Sequence, residues 1–149
     1  PRRSIPPDVK YGSVVIAKFT NYLMTRGKKS TAQAVLYGAF DRIQEKTSRD
    51  QLEVFAAAMK NVAPAMEVRA KRVGGANYQV PFPVRGDRRQ SLAFRWLLGA
   101  ARARKGAAMA VRLSDELIAA SEGEGAAVKK RQDVQRMAEA NRAFAHFAW

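Results

Sequence analysis

Two prolines at alternate positions, Pro81 and Pro83, interrupt a run that otherwise reads as a β-strand, and they restrict what this chain can build. From Asn77 to Arg85 the pattern alternates, with Tyr78, Val80, Phe82 and Val84 on one face. From Met66 to Lys71 it alternates again, setting Met66, Val68 and Ala70 against Glu67, Arg69 and Lys71. Gly74-Gly75 between the two runs supplies a hairpin turn. Proline has no N–H to give to a ladder, so the second strand cannot lie inside a sheet, and residues 66–85 are expected to form a two-stranded antiparallel ribbon. A lone ribbon is marginal in water, so this one needs packing at its base or a partner along its length, and it is expected to project as an arm. The core must then come from helices.

The rest of the chain has helical spacing. Val15, Ile16, Phe19, Tyr22 and Leu23 give a first helix closed by Gly27. Val35, Leu36, Ala39, Phe40 and Ile43 give a second, from Thr31 to about Lys46. Ser48-Arg49-Asp50-Gln51 has the spacing of a capping box, and Leu52, Phe55, Ala56 and Met59 carry a third helix toward Pro64. After the ribbon, Asp87 reads as the N-cap of a fourth helix running through Leu92 and Trp96 to Arg104. A fifth holds Met109 to Ile118 and stops at Gly123. A sixth begins near Ala127 and ends in an aromatic tail, Phe144, Phe147 and Trp149. The expected fold is mainly α: a six-helix, bundle-like single domain over 1–149, with the ribbon protruding between helices three and four. Residues 1–12 form a basic extension and 127–149 a last helix and tail.

The net charge is +14 and it is segregated: +6 over residues 1–30, 0 over 31–64, +8 over 65–106, −3 over 107–125 and +3 over 126–149. Like charges held together repel, whereas a polyanionic partner makes the same arrangement attractive. Three helix starts carry cations where the macrodipole favours acids: Lys28-Lys29, Arg88-Arg89 and Lys129-Lys130-Arg131. A phosphate seated on the free N–H groups would reverse each penalty. Along helix four, Arg88, Arg95 and Arg102 recur every seven residues and fall near one face. On the ribbon, Arg69, Lys71, Arg72 and Arg85 surround Tyr78 and Gln79, an aromatic face and an amide suited to an unpaired base. Tyr78 has a second use open to it, packing across the ribbon.

Several classes are excluded. There is no cysteine and one histidine, His146, so thiolate and His/Cys zinc chemistry lack material and no cofactor is expected. Gly27-Lys28-Lys29-Ser30 lacks the spacing of a nucleotide-hydrolysing phosphate loop. Asp115 and Glu116 are adjacent on a helix and point apart, so they make no acid–base pair. No apolar run approaches the roughly 20 residues of a membrane span, and Pro1-Arg2-Arg3-Ser4 is not the start of a secretory signal, so a cytoplasmic chain with no membrane partner is expected. Two rival readings remain at this point, an architectural DNA-binding protein with a minor-groove ribbon and an RNA-modifying enzyme.

The segment Gly27-Lys28-Lys29-Ser30-Thr31-Ala32 with Tyr37-Gly38-Ala39 downstream and Lys18-Phe19, Asn21 and Leu23-Met24 upstream resembles the signature of the small-subunit ribosomal protein seven family. Pro7-Asp8, Lys10-Tyr11, Arg72-Val73-Gly74-Gly75, Tyr78-Gln79-Val80-Pro81, Arg88-Arg89, Arg95-Trp96-Leu97 and Lys129-Lys130-Arg131 extend the resemblance. The closing stretch Arg136 to His146 is similar to the last helix of its bacterial form. Pro83 and Gly86 depart from the family pattern. The resemblance implies a structural protein of the ribosomal small subunit that binds the 3′ major domain of ribosomal RNA, nucleates the head, and lies near the exit-site transfer RNA and the messenger RNA. Small-subunit proteins nine and eleven are the implied protein partners. The implied ribosomal-RNA residues are the basic start with Arg2, Arg3 and Lys10, together with Lys28, Lys29, Ser30, Arg69, Lys71, Arg72, Arg85, Arg88, Arg89, Arg95 and Arg102. Those implied near transfer or messenger RNA are Gly74, Gly75, Tyr78, Gln79, Lys129, Lys130, Arg131 and Arg142.

Overall fold

Ser13 begins the ordered helices by accepting a hydrogen bond on its hydroxyl from the Ile16 N–H at 3.3 Å, the side-chain cap that starts α1 (Val14–Leu23). The structure is a computed structural model and describes residues 3–148. Helices α2 (Lys29–Thr47) and α3 (Gln51–Val62) follow, then strands β1 (Met66–Val73) and β2 (Ala76–Pro83). Next come α4 (Gly86–Ala103), α5 (Met109–Ser121), α6 (Ala126–Ala140) and a terminal 3₁₀ segment, Arg142–Ala148. The mainly helical class and the ribbon between the third and fourth helices are as the periodicity predicts.

Helix α1 closes at Met24 rather than Gly27 and α2 begins at Lys29 rather than Thr31, and two further boundaries differ from expectation for local reasons. Ser48 does not open a capping box; it ends α2 in the left-handed conformation, φ 58°, and Asp50 caps α3 by accepting from the Leu52 N–H at 3.1 Å. Helix α4 begins two residues early, so Arg85 is its cap and Asp87 sits in its first turn.

The core is a contiguous cluster drawn from all six helices. Phe19 packs between Phe55 and Phe94 with ring centroids 5.1 and 5.2 Å apart, and Phe40 meets Phe55 at 5.7 Å. Around these rings lie Leu36 and Ile43 of α2, Val54 of α3, Leu97 and Leu98 of α4, and Leu113 and Leu117 of α5, all fully buried. Helix α5 packs against α2, α3 and α4, and α6 lies against α4 and the ribbon.

Val73 pairs with Ala76 across Gly74 and Gly75, whose φ values of 58° and 84° are those of a tight hairpin turn. That turn fixes the register. Glu67, Arg69 and Lys71 stand opposite Phe82, Val80 and Tyr78, while Met66, Val68 and Ala70 stand opposite Pro83, Pro81 and Gln79. Directly paired residues share a face, so the apolar sets of the two strands lie on opposite sides of the ribbon. Packing of the ribbon on α6 and the 3₁₀ segment supplies the burial that a free hairpin lacks, and Val80 is fully buried.

Candidate nucleic-acid interface

Helix α2 starts without a side-chain cap and with no acid in its first turn; Lys28 is its cap residue, and Lys28, Lys29 and Ser30 are exposed. The end of α4 and the start of α5 bring two more cations to the same place. Arg102 Nη2 donates to the Leu23 carbonyl at 3.5 Å, and Arg112 Nη1 donates to the carbonyls of Arg102 and Arg104 at 3.0 and 3.1 Å. Lys28, Arg102 and Arg112 line one depression of about 280 Å³ floored by Leu23, Val35 and Met109. A positive helix end flanked by three cations is a seat for a phosphate. Arg112 is missing from the sequence-based set because it lies in the acidic segment. The signal that points to it is positional: it falls one turn into α5, where the carbonyls ending α4 require donors.

The other two cationic helix starts each have a carboxylate of the protein placed beside them. At α4, Asp87 occupies the first turn, Arg88 Nε and Nη2 donate to Glu67 at 2.7 and 3.1 Å, and Arg89 Nε donates to the Pro64 carbonyl at 3.0 Å. At α6, the buried Glu116 accepts from the Ala127 N–H at 3.3 Å on one oxygen and from Arg104 Nε at 3.2 Å on the other. At α4 a carboxylate of the chain thus meets the Arg88 side chain, and at α6 one meets a backbone N–H of the first turn. Asp115 is likewise engaged. Burial raises its carboxyl, but hydrogen bonds from Arg42 at 2.5 Å and Lys46 at 3.3 Å outweigh that and hold it below the ordinary carboxylate range.

Glu67 is held below the usual range by its bond to Arg88, against the effect of burial and with help from Arg69 at 2.8 Å. A lowered folded-state value means the carboxylate stabilises the fold above the ordinary glutamate value of about 4.3, and the contribution is lost as pH falls through the depressed value. In urea titrations at pH 7 and pH 3, Glu67→Gln is expected to lose less stability on acidification than the wild type. Equal losses would show that this carboxylate does not clamp ribbon to helix.

The Arg88, Arg95, Arg102 stripe is divided by its surroundings. Arg88 is paired with Glu67, Arg102 joins the α2 depression, and Arg95 lines a shallow hollow with Trp96, Gly99 and Lys130. Arg95 and Lys130, implied for different RNAs by the resemblance, are thus neighbours. Elsewhere on α6 and beyond, Lys129 and Arg136 pair with Asp133, Arg131 with Gln135, and Arg142 with Glu139. These are exposed local pairs that add little stability.

On the ribbon, Tyr78 takes the packing role. Its ring lies 5.0 Å from Phe144 and 5.0 Å from Phe147, and Lys71 Nζ donates to the Phe147 carbonyl on the same face. Gln79 projects from the opposite face, so Tyr78 and Gln79 do not frame one base. Arg69 stacks over Phe82 at 5.1 Å, while Arg72, the Gly74-Gly75 tip, Asn77, Gln79 and Arg85 are exposed.

The amino-terminal segment is tied down by Asp8. Its carboxylate accepts from the Lys10 and Tyr11 N–H groups at 3.0 Å each and from the Tyr37 hydroxyl at 2.8 Å. Burial, then the bond to Asp8, pushes the Tyr37 hydroxyl up to about 12. Lys10 lies over the Tyr37 ring at 5.0 Å and 3.9 Å from Asp41, which draws it along the protein surface. Arg3 lines a cleft with Lys18, and Arg2 lies outside the described residues. Among the described residues no cluster of three or more potential metal ligands occurs, and no helix is long and apolar enough to cross a membrane.

A family model described as ribosomal protein S7p/S5e matches residues 1–142. The chain is 57% identical over 148 residues to small ribosomal subunit protein uS7 of Parvibaculum lavamentivorans, covering 99% of this chain and 95% of that one. It is 58% identical over 147 residues to the uS7 protein of Thermotoga petrophila, with 99% and 95% covered. Against the uS7 protein of Nitrosospira multiformis it is 58% identical over 147 residues, with 99% and 94% covered.

Proposed function

Because the chain belongs to the ribosomal protein S7p/S5e family, it is a structural, non-enzymatic component of the small ribosomal subunit, and we propose that residues 1–149 act as one RNA-binding domain for the 3′ major domain of the ribosomal RNA. In this reading the protein nucleates the subunit head in the cytoplasm and lies near the exit-site transfer RNA and the messenger RNA, with small-subunit proteins nine and eleven as neighbours.

The observation that carries the proposal is the uncapped start of α2, where Lys28, Arg102 and Arg112 converge with no acid in the helix's first turn. Lys29 and Ser30 extend this seat along the helix. Arg95 with Lys130, Arg72 at the ribbon tip and Arg3 with Lys18 offer further phosphate contacts around the same rigid core. Affinity then comes from phosphates, and selection comes from the fixed spacing between seats, which only a folded RNA of matching shape can meet. The ribbon tip and the start of α6 extend this surface toward transfer and messenger RNA.

Lys28→Ala combined with Arg102→Ala is expected to weaken binding to a transcript of the 3′ major domain about ten- to a hundredfold and to lower the salt slope by about 1.5, as removal of two phosphate contacts requires. Helix content should be unchanged, since both side chains are exposed. An unaltered salt slope would refute the role of the α2 start. Competition by duplex DNA of equal charge separates this function from that of an architectural DNA-binding protein: the duplex should compete poorly, and equal competition would favour the DNA reading.

A further inference from the structure

A cleft of about 740 Å³ lies between the amino-terminal segment, α1 and α4. Its wall includes two apolar side chains that are unusually open for this molecule, Val14 at 40% and Tyr22 at 38% exposure, with the buried ring of Phe94 behind them. Tyr22 is held rigidly. Its hydroxyl donates to Ser91 Oγ at 3.0 Å, Ser91 Oγ donates to the Asp87 carbonyl at 2.9 Å, and its ring packs on Phe94 at 5.2 Å. A flat ring fixed in this way can be covered without losing rotamer freedom.

The polar residues of the same cleft are of a particular kind. Asn21 and Gln90 contribute two amides, each with donors and an acceptor, while Lys18 and Arg3 contribute positive charge. Asp87 also lines it, with a carboxylate that repels a phosphate. Apolar wall, fixed ring, two amides and cations lining one cleft together match a nucleotide: base, base edge and phosphate.

Resting on the RNA-binding reading above, we propose that this cleft receives one unpaired nucleotide of the bound RNA. Its base stacks on Tyr22, Asn21 and Gln90 read its edge, and its phosphate lies toward Lys18 and Arg3. The site is separate from the phosphate seat at α2 and reads a base, which that seat does not.

The test uses the full chain and a transcript of the 3′ major domain, probed by base-specific chemical modification at saturating protein. In the wild-type complex one nucleotide, unpaired and reactive in the free transcript, is expected to be protected. It should become reactive again in complexes of Tyr22→Leu and of Asn21→Ala with Gln90→Ala, and each variant should bind about tenfold more weakly, the scale of one lost base stack. The Lys28→Ala, Arg102→Ala protein should retain that protection once saturated, which separates the two sites. Protection patterns of the cleft variants identical to wild type would overturn the nucleotide site while leaving RNA binding intact. A wild-type protein that does not retain the transcript at all would overturn the RNA-binding reading and this inference with it.

Discussion

Alanine in place of Gly125 is expected to destabilise the protein by about 2–6 kcal/mol, through two costs that can be measured apart. Gly125 enters α6 at φ 93°, a conformation L side chains rarely adopt, so a methyl group there is strained by about 1–3 kcal/mol wherever it points. Its Cβ would also stand 2.7 Å from Glu116 Oε2 and 3.2 Å from Ala119 Cβ. A carboxylate at the end of a flexible side chain can usually step aside. Glu116 cannot: it is 1% exposed, and its two oxygens are held by Ala127 N–H and Arg104. Pushing it away leaves buried polar groups without partners, at about 1–3 kcal/mol.

A double-mutant cycle in urea resolves the two contributions. In a Glu116→Ala background the alanine at 125 meets no carboxylate, so its cost should fall to the backbone strain and the close contact with Ala119. Additive effects would mean that the internal carboxylate does not hold the start of α6. For a chain of this length each kcal/mol is worth about 2–4 °C, so the single variant should melt on the order of 10 °C lower.

The same Glu116 shows where sequence reading stops. Helices were legible because their apolar spacing is local: Leu36, Ala39, Phe40 and Ile43 mark a buried face whatever lies opposite, and all four are fully buried. The ribbon was legible from its turn and its prolines. The relation between its faces was written there too, since a two-residue turn at Gly74-Gly75 dictates which side chains oppose each other, and it emerges only when the register is carried outward from the turn.

The electrostatics were harder to read. Summed by segment, Glu67 and Glu116 are minor offsets to nearby cations, yet they are among the few buried ionisable side chains, and each reaches the start of a helix from another element, Glu67 from β1 and Glu116 from α5. Glu67 reaches Arg88 across 21 positions, and Glu116 reaches Ala127 across the turn after α5. Helix propensity and local charge cannot register such pairings, because they depend on how elements pack. Of the three cationic helix starts, only the one at α2 lacks an acid delivered by the fold. The aromatic tail is a similar case: Phe144 and Phe147 find Tyr78 some 66 and 69 positions away, and nothing in their own spacing selects it.

Truncation of Phe94 to alanine is expected to be the most damaging change in the core, about 3–5 kcal/mol. The ring is 1% exposed and lies 5.2 Å from both Phe19 and Tyr22, so it joins the central aromatic cluster to the wall of the amino-terminal cleft. Removing it opens a void that helices α1 and α4 cannot close without shifting Leu97 and Leu98, which are buried on the same helix. Phe94→Leu keeps most of the volume and should cost only about 1–2 kcal/mol, the loss of the aromatic contacts and an imperfect fit. Thermal unfolding of the two variants against wild type orders them, and near-equal melting temperatures would show that the void collapses. Their RNA binding, measured at a temperature where each stays folded, should separate along the same line. The phosphate seat at α2 does not touch Phe94 and should keep its salt slope in both, whereas Tyr22 loses its backing in Phe94→Ala, so protection of the nucleotide in the cleft should weaken there and persist in Phe94→Leu.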